Sequence, residues 1–259
     1  MNQIIAELLE VGQETLAIGF VVFLRVGAAI SVMPAFGERS IPGRIRLGIA
    51  LAFTLVIAPA VTDDLKSVVR NTEINFALFL TEAVIGLALG LTLRMFVMAL
   101  QIAGTIAAQS TSLSQIFGTA AIEPLPAIGH LMVVGGLALA VMTGLHILAA
   151  EALIASYSVF QPGRFPDASI VADWGVARVA SAFALAFTLA APFVIASFVY
   201  NVTLGIINKA MPQLMVAFVG APAITAGGLI LLFLTMPFLL STWNAEFQGF
   251  LANPFMINP

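Results

Sequence analysis

Four ionisable side chains stand well inside apolar stretches of the sequence: Arg25, Glu82, Arg94 and His146. An arginine at the centre of a bilayer costs about 2.5–3.5 kcal/mol on insertion scales, so each such charge calls for a partner or an aqueous lining. Glu82 and Arg94 cannot serve each other on a straight helix, because their spacing in the sequence puts them about 18 Å apart. Each must meet its counterpart on another helix or another subunit. For the arginines the other reading is snorkelling to a headgroup. Paired intramembrane carboxylates, as a proton-coupled carrier uses, are not seen: Glu82 stands alone, and Glu123 and Glu151 lie near segment ends.

Other chemistry is missing from the pattern. There is no Walker loop, no HExxH and no nucleophile elbow. His130 and His146 stand apart without clustered carboxylates, and each reads as a buried hydrogen-bonding group rather than a metal ligand. Cysteine is absent, which removes thiolate sites, disulfides and a cysteine nucleophile. Neither catalysis nor a cofactor is expected.

The elements that carry these residues belong in lipid. Of 259 residues, 61% are hydrophobic and 9% charged, against about 25% charged in soluble domains; the mean hydropathy is +1.08. This excludes a soluble enzyme, a disordered chain and a disulfide scaffold. The net charge is -3 and the ten basic residues are scattered, so nucleic acid is not an expected partner. Residues 1–14 carry Glu7, Glu10 and Glu14 and no basic residue, unlike a cleaved signal. They read as a short amphipathic helix with Ile4, Leu8 and Val11 near one face.

Six apolar stretches follow, at about 15–33, 47–61, 74–108, 125–150, 177–199 and 214–240. A spanning helix needs about 20 such residues; the second is short, and the third would reach about 50 Å. Pro34, Pro42 and Pro59 frame the second, Pro124 and Pro126 open the fourth, Pro192 sits in the fifth, and Pro222 and Pro237 sit in the sixth. Proline removes a helical hydrogen bond, so the last two are expected to kink or break. The fold class is therefore an all-α, polytopic membrane protein with about six long apolar segments, several kinked or broken into hairpins, forming one membrane-embedded domain over 1–259. Arg39, Arg44 and Arg46 in the first loop favour the cytoplasmic side, but the later loops leave the topology open.

On the third stretch Glu82, Ala83, Gly86, Gly90, Arg94, Gln101, Gly104 and Ala108 fall within about a third of a helical wheel. Small residues let a helix approach and polar ones bond across, so this reads as a protein-packing face, the alternative being chance clustering. Residues 109–124 are polar yet uncharged until Glu123, and irregular backbone of that kind lines a cavity or pore or forms a surface loop.

Three stretches resemble the FliR family of the bacterial flagellar type III export gate. The first is RVGAAISVMPAFGERSIPGRIRLGIALAFTLVIAP, with Arg25, Pro34, Pro42, Arg44, Arg46 and Pro59 in the family's places. The second runs through Glu82, Gly86, Gly90 and Gly104. The third, NVTLGIINKAMPQLMVAFVGAP, matches at Asn201, Leu204, Gly205, Asn208, Pro212, Gln213, Gly220 and Pro222. The resemblance covers about residues 10–245. It departs at Thr105 and Glu123, where the family often has Glu and Asp.

The resemblance implies a structural, pore-forming subunit. One FliR-like chain packs with several copies of FliP and FliQ, beside FlhA and FlhB, and the gate passes unfolded flagellar proteins. It implies the bacterial inner membrane, in the flagellar basal body, with part of the assembly raised to the periplasmic side. It also implies a plug loop on Thr111, Ser112, Leu113, Ser114, Gln115, Ile116, Phe117 and Gly118, and subunit packing at Arg25, Glu82, Gly86, Gly90, Arg94, Gln101 and Gly104. The injectisome homologues share the Asn and Pro-Gln features. A small-solute secondary transporter, a membrane-embedded enzyme and a plain scaffold are the other readings.

Overall fold

The computed structural model describes residues 2–71, 76–111, 127–211 and 216–255. These residues form eight helices: α1 Asn2–Val32, α2 Gly43–Ala60, α3 Thr62–Asn71, α4 Phe76–Thr111, α5 Ala127–Met142, α6 Leu145–Val159, α7 Ala168–Ala210 and α8 Val216–Ala252. Five are long and apolar enough to cross a membrane, six if α5 and α6 count as one broken span. Residues 2–14 are no separate element: they are the beginning of α1, exposed over 5–13.

The breaks fall elsewhere than the prolines suggest. α7 runs through Pro192 and α8 through Pro222 and Pro237 without a change of element. Length explains this, since a helix of about 40 residues has enough other hydrogen bonds to carry the lost one. The fourth apolar stretch is the one that breaks, at Gly144, whose φ of +94° lies where glycine alone is unstrained. At the end of α1, Ala35 turns the chain with φ +65°. A Cβ on Gly37 would stand 2.7 Å from the Ser31 carbonyl oxygen, so that turn needs glycine. α7 begins at a cap: Asp167 Oδ1 accepts hydrogen bonds from the Ser169 amide at 2.8 Å and its hydroxyl at 2.6 Å.

The chain packs as two compact units, and α4, α5, α7 and α8 contribute to both. The first holds Met1–Met95, Val141–Arg178 and Phe247–Pro259. In it α2 and α3 pack on α1, α6 packs on α2, and Val22, Val26, Ala29 and Ile30 of α1 are fully buried. Buried Thr54, Thr81 and Thr92 bond carbonyls of their own helices at 2.7–2.8 Å.

The second unit holds Phe96–Ala140 and Val179–Glu246. Here α4 and α5 meet glycine to glycine, at Gly104 and Gly129. Trp243 of α8 is fully buried and donates to the Phe96 carbonyl at 2.8 Å. Tyr200 of α7 donates its hydroxyl to the Gly220 carbonyl of α8.

Candidate functional site

Two of the intramembrane charges of the first unit, Arg25 and Glu82, form one buried centre. Gly86 and Gly90 allow it: a Cβ on Gly86 would overlap the Arg25 carbonyl, and one on Gly90 would stand 2.5 Å from the Ala29 carbonyl oxygen. The two backbones therefore touch, and α4 runs parallel to α1 with Glu82 level with Arg25. The pair is fully buried and bidentate, Arg25 Nε to Glu82 Oε2 at 2.7 Å and Nη2 to Oε1 at 3.1 Å. The remaining donors are used as well. Arg25 Nη1 reaches Ser156 Oγ at 3.0 Å and Nη2 the Phe160 carbonyl at 3.2 Å. The Gly163 amide donates to Glu82 Oε1 at 3.4 Å, and the guanidinium carbon lies 3.8 Å over the Tyr157 ring. A buried pair holds its geometry only when its other donors and acceptors are satisfied in this way. The centre ties α1, α4, α6 and the turn after α6 together.

A second pair sits at the turn between α1 and α2. Arg94 Nη1 meets Glu38 Oε1 at 2.8 Å, both side chains about a quarter exposed. Arg46 Nη2 donates to the Glu38 carbonyl at 3.0 Å and to the Ile41 carbonyl at 3.4 Å.

Of the two alternatives, another helix or another subunit, these contacts show partners within the chain. Arg25 and Glu82 are each other's partner, and Arg94 finds Glu38, because the glycine face of α4 lets α1 come close enough. The packing face read on α4 meets other helices of the same chain at Gly86, Gly90 and Gly104; Gln101 and Arg94 are half-buried. The histidines differ from expectation. His130 and His146 are both exposed, on outward faces of α5 and α6. Among the described residues no three His, Cys, Asp or Glu side chains come together.

Other candidates lie apart from this centre. Of the plug-loop residues only Thr111 is described; it bonds the Ala107 and Ala108 carbonyls and touches Gly228. Ser112, Leu113, Ser114, Gln115, Ile116, Phe117 and Gly118 lie outside the described residues, as do Pro212 and Gln213. Asn201, Gly205 and Asn208 share one exposed face of α7, Gly220 is buried in α8, and Pro222 is exposed. Asn201 Nδ2 donates back to the Ser197 carbonyl at 2.8 Å.

Sequence reasoning did not single out Glu38, Ser156 or Tyr157. Glu38 had a signal, as the one acid among the arginines of the first loop. Ser156 and Tyr157 had the weaker one of polar atoms in an apolar run. Outside the spans, the Ser169 hydroxyl and then its amide hold the Asp167 carboxyl below its ordinary range.

The long apolar helices, closed by glycine contacts around a buried ion pair, define a polytopic helical membrane protein. Residues 16–250 match the model of "Bacterial export proteins, family 1", and the chain belongs to that family. Within it the similarity is to FliR. The flagellar biosynthetic protein FliR of Caulobacter vibrioides is 33% identical over 232 residues, covering 89% of this chain and 92% of that one. FliR of Escherichia coli is 30% identical, covering 83% of each chain, and FliR of Bacillus subtilis 29%, covering 83% and 84%.

Proposed function

We propose that this chain is a structural, pore-forming subunit of the flagellar type III protein export gate. In this reading it packs with FliP and FliQ, beside FlhA and FlhB, in the inner membrane at the flagellar basal body, and part of it is raised to the periplasmic side. The gate passes unfolded flagellar proteins. The family match over 16–250 supports the reading. The observation that carries it further is the outer face of α7. Asn201 and Asn208 are exposed there among Phe198, Val199, Val202 and Ile206. Asn201 bonds back to the Ser197 carbonyl and hydroxyl, and a neighbouring helix can bond what remains of its carboxamide and that of Asn208, groups that are costly to leave facing hydrocarbon. Gly205 lies between the two asparagines, and a Cβ there would meet nothing within 4 Å. Its small size serves no contact among the described residues and suits the approach of another helix.

In the proposed gate, residues 111–118 plug the closed pore by packing small side chains and Phe117, a contact that yields without breaking ion pairs. Co-expression tests the assembly: tagged chain should retain FliP and FliQ through purification, and N201L/N208L should lose them. Deleting 111–121 from the purified complex should raise ion conductance across planar bilayers. Purification as a lone, solute-binding monomer refutes the gate reading, and unchanged conductance refutes the plug.

A further inference from the structure

The turn between α1 and α2 concentrates positive charge in a chain that is negative overall. Arg39, Arg44 and Arg46 lie within it or at the start of α2, and Arg94 joins them through Glu38. Four arginines face one glutamate. Two are engaged inside the fold, Arg94 with Glu38 and Arg46 with two loop carbonyls. Arg39 and Arg44 are exposed, and among the described residues no ion pair or hydrogen bond reaches either.

The surroundings have the profile of a lipid leaflet. Directly beyond Arg44, α2 exposes Ile45, Leu47, Leu51, Leu55 and Val56. Cations above an outward apolar face suit phosphates at headgroup level with acyl chains beneath. The opposite end of α1 carries the opposite charge, with Glu7, Glu10 and Glu14, while past the end of α2 Asp63 and Asp64 are matched by Lys66 and Arg70, Lys66 pairing with Asp63 at 3.0 Å. Glu10 to Val32 is about 33 Å along α1, and Arg44 to Ala60 about 24 Å along α2, against about 30 Å for the hydrocarbon core. The basic turn and the acidic start of α1 are thus about one bilayer apart.

We propose that the α1–α2 turn is a binding site for the phosphate headgroup of anionic phospholipid, with Arg39 and Arg44 as its ligands. The site is independent of the export reading and survives or fails on its own test. The full chain, purified and reconstituted in nanodiscs holding equal phosphatidylglycerol and phosphatidylcholine, is released into detergent, and the retained lipid is counted by native mass spectrometry. Wild type should retain phosphatidylglycerol preferentially. With each surface arginine worth about five-fold, R39Q/R44Q should lose roughly thirty-fold of that preference. R39K/R44K should keep most of it, and about 1 M salt should erase it in the wild type, where the screening length falls to about 3 Å. Inorganic phosphate at matched concentration should not displace the lipid; displacement would give the site to the free anion and overturn the proposal. Equal retention of both lipids by the wild type, or an unchanged preference in R39Q/R44Q, would also overturn it and assign the arginines to an acidic surface of another polypeptide.

Discussion

Replacing Glu82 by alanine isolates what the buried centre contributes. The carboxylate accepts from Arg25 Nε at 2.7 Å, from Arg25 Nη2 at 3.1 Å and from the Gly163 amide at 3.4 Å. Without it the guanidinium stays fully buried, with only Ser156 Oγ, the Phe160 carbonyl and the Tyr157 ring for company. Removing one member of such a pair costs about 3–5 kcal/mol. For a chain of this size each kcal/mol moves the midpoint by about 2–4 °C, so the apparent Tm should fall roughly 6–20 °C. Replacing both members, R25M/E82L, removes the stranded charge together with the pair, and that kind of exchange is often neutral or stabilising. The double variant should therefore recover most of the loss. The assay is thermal aggregation of the detergent-solubilised full chain, followed by fluorescence-detected gel filtration for the wild type, both singles and the double. The reasoning is refuted if E82A melts with the wild type, or if R25M/E82L melts as low as the worse single.

Three further outcomes follow from contacts described above. G86A should lower the melting point through overpacking of about 1–3 kcal/mol against the Arg25 carbonyl, while G205A, with open space at its Cβ, should leave the isolated chain as stable or slightly more so. The same thermal assay separates them, and equal losses would contradict the close approach of α1 and α4. E38Q should cost no more than about 1 kcal/mol, because its pair with Arg94 is partly exposed, and the difference should shrink with added salt. D167A should speed hydrogen exchange in the first turn of α7. The native cap, whose carboxyl pKa is lowered by Ser169, contributes fully above the ordinary carboxylate range and is lost as pH falls through the lowered value, so native and variant exchange should converge only in acid.

The fold was legible where hydrophobic length decides it. The described parts of the runs around 15–33, 74–108 and 214–240 each fall in one long helix, since burial in lipid leaves the backbone no other way to satisfy its hydrogen bonds. Break positions were not legible. Proline was the conspicuous signal, yet α7 and α8 pass through theirs, and the break came at Gly144, a residue whose role depends on a local φ. The glycines of α4 could be read as a close-packing face from spacing alone. What they pack against could not, because Arg25 and Glu82 are far apart in sequence and nothing local indicates that α1 lies alongside. Glu38 was overlooked for the same reason, since its partner Arg94 is brought to it only by the parallel run of α4.

The first unit is closed by parts of the chain made at very different times. Arg25 and Glu82 can meet early, but Ser156 and the Phe160 carbonyl complete their shell only after α6 exists. The unit also draws in residues past α8: the Trp174 indole donates to the Pro254 carbonyl at 3.4 Å, and Phe255 stacks edge-on against Phe160 at 5.4 Å. At bacterial or slower elongation, about 5–20 residues per second, roughly ten to fifty seconds separate the emergence of Arg25 from that of Phe255. During that interval the nascent polypeptide sits in the insertion machinery with its ionic centre incompletely walled in. An early-made half must wait, open and vulnerable to proteases, for a late-made seal, so premature termination after α7 should yield a product that is cleared rather than a shorter working subunit.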